Sequence, residues 1–273
     1  MEELIISSAQ NPKIKRLLLL QQKSQQRRKE GVFVVEGRRE LEHCMAAGYE
    51  VESVFSLSPS SLTPRSLTPS SRTPTPSRGG EGSVYLVSPR VYEKIAYRGS
   101  TEGVMAIVKA KRHRLEDLQL KKDALVVVLE SVEKPGNLGA VLRSADAAQA
   151  DAVIVCDPLT DLYNPNLIRS SIGAIFTVPT AACTSEECIA FLKAHGIQIL
   201  TAQLQDSKLY YDTPMTQGTA IVMGTESTGL TNQWREAADA HIRIPMLGRL
   251  DSLNVSVSAA ILLFEAVRQR QIK

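Results

Sequence analysis

ALVVVLESVEKPGNLGAVLRSADAAQADAVIVCD, residues 124–157, decides the fold. Its two ends, Ala124–Glu130 and Ala152–Cys156, are apolar runs without polar alternation, the mark of strands buried on both faces in a parallel sheet. Between them Leu138–Ala150 reads as a helix. The same strand pattern returns in IQILTA (197–202) and AIVMG (220–224), and AHIRIP (240–245) reads as a last strand. Helical segments at Ser185–His195 and Thr231–Ala238 separate these runs, and a last long helix covers SLNVSVSAAILLFEAVRQR (252–270). Such alternation predicts an α/β domain with a parallel sheet and ligands at the carboxyl ends of its strands.

Working outward, the N-terminal part is organised differently. Ile14, Leu17, Leu18 and Leu20 form a helical apolar stripe, Val32–Val35 a short buried strand, GRRELEHCMAAG (37–48) a helix ending at a glycine cap, and Val51–Phe55 a strand. SVYLVSPRVYEKIAY and GVMAIVKA add a strand, a helix and a strand. Residues 58–82, rich in Ser, Thr and Pro, hold too little apolar surface to offset ordering entropy and read as a disordered insertion. The expected organisation is a small α/β domain over 1–108, a charged linker over 109–122 and the parallel-sheet domain over 123–273.

The 273 residues carry a net charge of only +3, but the charge is split. Residues 1–122 hold 21 Lys and Arg against 13 Asp and Glu; residues 123–273 hold 11 against 16. A basic half joined to an acidic half suggests that one of them meets a polyanion. Lys13, Lys15, Arg16, Arg27, Arg28, Lys29, Arg38 and Arg39 crowd one region of the basic half and are its candidate phosphate-binding residues. The four cysteines form no CxxC pair and histidines are few, so no metal is expected and the thiols are those of a reduced, cytoplasmic protein. No apolar run approaches the about 20 residues of a membrane span, and the N-terminus is unlike a secretory signal.

Three stretches carry chemistry. In PGNLGAVLRSADAA, the residues three and four places from Arg143 are Gly139, Ala140, Asp146 and Ala147, mostly small, while Leu138, Val141, Leu142 and Ala145 form the buried side. The bland alternative is a surface ion pair from Arg143 to Asp146, worth little. The GxGxxG spacing of a dinucleotide turn is absent. In IVMGTESTGLT (221–231), a buried strand opens into a loop with Gly224, Glu226 and Gly229, where backbone can approach a ligand closely; the alternative is a tight turn with Glu226 in water. In IPMLGRLDSLNVSVSAAILLFEAV (244–267), Ser252 or Asn254 caps a helix. The further Ser residues of that otherwise apolar helix need partners of their own.

Together these three blocks, in this order, resemble the three motifs of the SpoU (TrmH-like) family of RNA ribose 2′-O-methyltransferases, within the SPOUT class. The resemblance spans about residues 124–273. On weaker motifs, NPKIK and FVVEGRREL, the N-terminal domain resembles an L30e-like RNA-binding domain. The resemblance implies a trefoil-knotted C-terminal domain, a homodimer formed through that domain, and S-adenosylmethionine held by the loops after ILTA, IVMG and RIPM. It marks Thr201, Ala202, Gly224, Glu226, Gly229, Ile244, Met246 and Leu253 for the cofactor. It assigns Asn137 and Arg143 to the first motif, Glu226 to the second, and Ser252 and Asn254 to the third, as the catalytic set. Two departures stand out: Thr225 replaces the family's usual Asn before the Glu, and Gln149-Ala150 replaces a helix-ending Gly.

A ribose 2′-hydroxyl must lose a proton and be aligned with the sulfonium methyl. Two roles for Arg143 follow from the resemblance. It binds the adjacent phosphate and stabilises alkoxide charge, as a normally protonated arginine would, or it serves as the base. Ribosomal RNA is the expected substrate, with transfer RNA as the alternative. Two other classes remain in view: a catalytically inactive ribosome-associated RNA-binding protein, and a methylase of bases or proteins.

Overall fold

The computed structural model describes residues 5–58, 82–97 and 102–271. The insertion expected at 58–82 therefore lies, except for its two ends, outside the described residues. Along the chain the elements begin with α1 (Pro12–Gln22), α2 (Ser24–Glu30), β1 (Val32–Glu36), α3 (Arg38–Ala46), β2 (Val51–Ser56), β3 (Ser83–Leu86), α4 (Pro89–Ile95) and β4 (Val104–Lys109). They continue with β5 (Leu125–Glu130), α5 (Pro135–Ala147), β6 (Ala152–Cys156), α6 (Pro165–Ser170), α7 (Ala174–Thr177), β7 (Thr180–Cys183) and α8 (Ser185–Ala194). Last come β8 (Gln198–Ala202), β9 (Lys208–Leu209), β10 (Thr219–Met223), α9 (Asn232–Ala237), β11 (Ala240–Arg243) and α10 (Val255–Gln271).

The chain forms two compact units, Met1–Lys111 with Leu162–Phe176, and Arg112–Asp161 with Thr177–Lys273. In the first, a four-stranded sheet runs β1-β4-β2-β3, with β4 antiparallel to both neighbours and β2 parallel to β3. Asn11 caps α1 by accepting from the Lys13 N–H at 2.9 Å, with Pro12 as first helical residue. The stripe expected there buries Ile14, Leu17 and Leu20 completely, against Val32, Val34 and Phe55 of the sheet. Segment 162–176 also packs in this unit: Tyr163 stacks on Phe33 with centroids 4.1 Å apart, and Phe176 lies 5.9 Å from the same ring.

In the second unit seven strands run β7-β6-β5-β10-β8-β11-β9, and every pairing is parallel. The unbroken apolar runs account for this, because β5, β6 and β10 are buried along their whole length. Residues 109–122 were expected to be a charged linker, yet Leu115 and Leu118 are buried in the core of this unit beside Trp234 and Leu192. His113 further anchors the segment, its carbonyl accepting from the Ala182 N–H at 2.9 Å. Gln149, at the end of α5, adopts φ +51°, the left-handed conformation that a glycine usually supplies there.

Candidate active site

The site lies in the second unit, where the carboxyl ends of β8, β10 and β11 meet the starts of α5 and α10. Its centre is Glu226, in the loop after β10. Lys134 donates to Glu226 Oε2 at 2.6 Å. Asn137 Nδ2 and Asn254 Nδ2 donate to Oε1 at 3.0 and 2.8 Å. The Val255 backbone N–H, at the start of α10, also favours the charged carboxylate. The Lys134 ammonium, above all, holds the Glu226 carboxyl below the usual carboxylate range, and Asn137 adds to the effect. The Lys134 ammonium in turn is held above its ordinary value by Glu226. A second bond joins the two amides, Asn254 Nδ2 to Asn137 Oδ1 at 3.2 Å.

Asn254 has a further role. Its Oδ1 accepts from the Ser256 N–H at 3.0 Å and from Ser256 Oγ at 2.6 Å, which caps α10. The helix-cap reading of this residue therefore holds, and the opposite end of the same amide is spent on Glu226 and Asn137. Ser252 is exposed and lines the adjoining cleft.

The loop 224–229 owes its shape to two features. A Cβ on Gly224 would lie 2.3 Å from Gly229 C and O and 2.5 Å from Leu230 N, all backbone. Thr225 and Gly229 exchange backbone hydrogen bonds of 3.3 and 3.1 Å, with Gly229 at φ +69°. Thr225 then closes the turn through its hydroxyl, which accepts from the Thr228 N–H at 3.0 Å and lies 2.7 Å from Thr228 Oγ1. The hydroxyl thus fixes the loop internally and leaves Glu226 to the two asparagines and Lys134.

Beside this loop opens a cleft of about 650 Å³, within the range of small-molecule sites. Of the residues expected to hold the cofactor, Ala202, Gly224, Glu226, Gly229, Ile244, Met246 and Leu253 line it. Thr201 does not: it is fully buried, and its hydroxyl is 2.6 Å from His241 Nδ1. Successive side chains of β8 alternate between the sheet's faces, so Thr201 is buried and its neighbour Ala202 reaches the cleft instead. The cleft is also lined by Gln203 and Arg235, whose Oε1 and Nε atoms are buried without a hydrogen-bond partner. Such atoms are costly unless a ligand or water satisfies them. An acceptor, a donor, the open backbone at Gly229 and the apolar Ile244, Met246 and Leu253 suit a nucleoside with an amino-acid tail. S-adenosylmethionine fits this set.

Sequence reasoning did not single out Lys134, although it stands immediately before the PGN of the first motif, at the cap position of α5. It also missed Gln203 and Arg235. Glu130, a buried carboxylate at the end of β5, accepts from the Thr231 hydroxyl at 2.7 Å and its N–H at 2.9 Å, which anchors the far end of the glycine loop.

Arg143 is exposed on α5 and makes no hydrogen bond or ion pair among the described residues. The alternative pairing with Asp146 does not form; Asp146 accepts instead from Thr177 Oγ1 at 2.8 Å. Arg143 follows Asn137 by six residues, about 9 Å along the helix and a third of a turn around it. It lines neither the cleft nor the smaller hollow beside Lys134.

In the first unit the eight basic candidates divide. Lys15, Arg28, Lys29 and Arg39 are exposed, Arg39 within 2.9 Å of Glu40. Lys13 lies 3.8 Å over the Tyr85 ring and donates to its hydroxyl. Arg38 is half-buried. Arg16 is paired with Glu52 and Glu30, which raise its pKa. Arg27 is buried and donates to the Leu20 and Gln21 carbonyls at 2.6 and 3.1 Å, satisfying the end of α1. Arg27 is therefore a structural residue and not a phosphate ligand, because its donors are spent inside the fold.

The sequence pattern of the SpoU rRNA Methylase family matches residues 124–264, and that of the MRM3-like substrate binding domain matches residues 11–106. The chain is 38% identical over 194 residues to the 23S rRNA (guanosine-2'-O-)-methyltransferase RlmB of Vibrio vulnificus, covering 69% of this chain and 78% of that one. It is 27% identical over 259 residues to the 23S rRNA (guanosine(2553)-2'-O)-methyltransferase RlmP of Bacillus subtilis, covering 95% and 97%. Its fold resembles the AdoMet-bound rRNA methyltransferase of Sinorhizobium meliloti, with TM-score 0.85, 28% identity and 97% of each chain covered. With the family pattern spanning the whole glycine-loop site and more than half of the sequence, the chain belongs to the SpoU rRNA methylase family.

Proposed function

We infer that this protein transfers a methyl group from S-adenosylmethionine to a ribose 2′-hydroxyl of ribosomal RNA. The observation that carries the reading is the Glu226 cluster, which ties the starts of α5 and α10 to the rim of the cleft. Bound in the cleft, the sulfonium supplies an already activated methyl group. The protein's part is to orient and to manage charge. Gln203 and Arg235 offer polar atoms to the cofactor's nucleoside or tail, while Ile244, Met246 and Leu253 exclude water. Asn254 spends its amide on Glu226, Asn137 and the α10 cap and so positions Asn137, whose remaining amide N–H and lone pair are presented to the target nucleotide. Arg143, without a partner among the described residues, is free to take a phosphate and to stabilise charge developing on the 2′-oxygen. Ser252 stands at the cleft rim to contact the same nucleotide.

The separation of Arg143 from the cleft favours a site completed by a second copy. Along α10, Val257 and Phe264 are 46% and 48% exposed, seven residues apart and hence on one face. This apolar stripe supports the homodimer through the C-terminal domain, and the trefoil knot belongs to the same reading. Mixing Arg143→Ala chains with Glu226→Ala chains tests it. Recovered transfer in the mixture supports a shared site; two inactive parents that stay inactive when co-assembled contradict it.

The basic first unit holds RNA, through Lys15, Arg28, Lys29 and the partly engaged Lys13, Arg38 and Arg39. Recognition of the 2′-hydroxyl restricts the substrate to RNA. No helix among the described residues is long and apolar enough to cross a membrane, and a cytoplasmic location is part of the proposal. Offering unmodified large-subunit ribosomal RNA, small-subunit ribosomal RNA and transfer RNA in equal amounts tests the substrate class. Label in large-subunit RNA supports the reading, and label in transfer RNA alone overturns it.

A further inference from the structure

Three of the four cysteines converge in the second unit, outside the cleft. Cys156 ends β6, Cys183 ends β7, and the two are in-register partners on adjacent parallel strands. Cys188 lies one turn into α8. Their three sulfur atoms all fall within 4.8 Å of one another, and none is in a disulfide. Cys156 and Cys188 are fully buried, whereas Cys183 is half-buried and reaches the surface.

A buried thiol is ordinarily a small apolar residue. One or two such thiols in a core need no other explanation. Three from three separate elements, aimed at one point with one of them open to solvent, are arranged differently. Zinc–sulfur bonds of about 2.3 Å place tetrahedral ligands about 3.8 Å apart, a separation that small side-chain rotations here would reach. No carboxylate or histidine completes the group among the described residues, so three protein ligands would leave one coordination position for water on the Cys183 side.

We propose that Cys156, Cys183 and Cys188 form a tri-thiolate site for one thiophilic divalent cation of the zinc class. Three S–H bonds are exchanged for three metal–sulfur bonds, and the three protons pass to solvent through the opening at Cys183. The divalent charge offsets two of the three thiolates, which three bare thiolates in an apolar core would lack. The ion clamps the β6–β7 edge of the sheet to α8, and the site is independent of methyl transfer.

The test is titration of the reduced, metal-free full-length protein with cobalt(II), followed by displacement with zinc(II). The expected result is one equivalent per chain, an intense thiolate-to-cobalt charge-transfer band, release of about three protons per ion, and loss of the band on zinc addition. Cys183→Ser, at the half-exposed position, weakens binding by about tenfold or more, while Cys44→Ser in the first unit leaves it unchanged. In the wild-type chain, zinc also protects Cys183 from alkylation, a readout that needs no variant to fold. Absence of the charge-transfer band at stoichiometric cobalt, undiminished band intensity and affinity in Cys183→Ser, or unprotected alkylation of Cys183 would each overturn the proposal.

Discussion

Asn254 donates to Glu226 at 2.8 Å with its amide nitrogen while its amide oxygen caps α10 through Ser256. The helix and the acidic loop are therefore joined by one side chain with no rotational freedom left. Asn254→Asp keeps the cap but places a second carboxylate against Glu226, and Asn254→Ala removes both bonds. Each should reduce methyl transfer by roughly 10²-fold, the scale of a small misplacement of reacting groups. Asn254→Ala should also lower the thermal midpoint through the lost cap, whereas Asn254→Asp should retain that part; steady-state kinetics and thermal unfolding together separate the two.

Lys134 sets the charge of the same cluster. Because it depresses the Glu226 pKa, the contribution of the ionised carboxylate is complete above the unfolded carboxylate pKa. It is lost as pH falls through the lower, folded value. Lys134→Met should move the Glu226 titration upward, toward the ordinary carboxylate range, and shift the acidic limb of the pH–rate profile the same way. NMR titration of the Glu226 side chain in both proteins measures this. An unmoved titration would show that the ammonium contact does not persist in solution.

Arg143 has no partner to lose among the described residues, so its removal should spare the fold. Arg143→Ala is expected to keep the wild-type thermal midpoint and S-adenosylmethionine affinity while turnover falls by roughly 10²–10³-fold, as for loss of a charge-stabilising donor. Calorimetric binding and single-turnover transfer check both halves. Turnover near wild type would remove Arg143 from the chemistry.

The basic residues of the first unit should behave as two groups. Arg27→Ala strands the Leu20 and Gln21 carbonyls and should destabilise that unit by about 1–3 kcal/mol, with little change in the salt dependence of RNA binding. Combined Ala substitution of Lys15, Arg28 and Lys29 should leave stability alone and reduce the slope of log affinity against log salt by about two. Binding isotherms across a salt series distinguish them.

Much of this architecture is legible in the sequence because β5, β6 and β10 are apolar runs buried along their length. Strand β7 escaped because Thr180–Cys183 is built from small residues, which carry no clear hydrophobic period, and β9 is only two residues long. That segment 162–176 groups with the first unit was not legible for a different reason. Tyr163, Ile168 and Phe176 are apolar in either unit, and only tertiary contact with Phe33 shows where they pack. The candidate site residues were legible as motifs. The exchange of hydrogen bonds among Asn137, Glu226 and Asn254 was not, because 117 positions separate Asn137 from Asn254. The cysteine cluster was hidden likewise: spacing rules for metal sites look for close pairs, whereas here a parallel sheet brings distant residues into register.

The central claim is methylation of a ribose 2′-hydroxyl, and alkali tests it most directly. Labelled S-adenosylmethionine is incubated with the protein and large-subunit ribosomal RNA lacking the modification, and the product is hydrolysed in base. The account predicts that the label stays in an alkali-resistant dinucleotide, because the 2′-oxygen needed for backbone cleavage is blocked, and that Arg143→Ala yields little of it. Label recovered in ordinary mononucleotides would place the methyl group on a base and contradict the account.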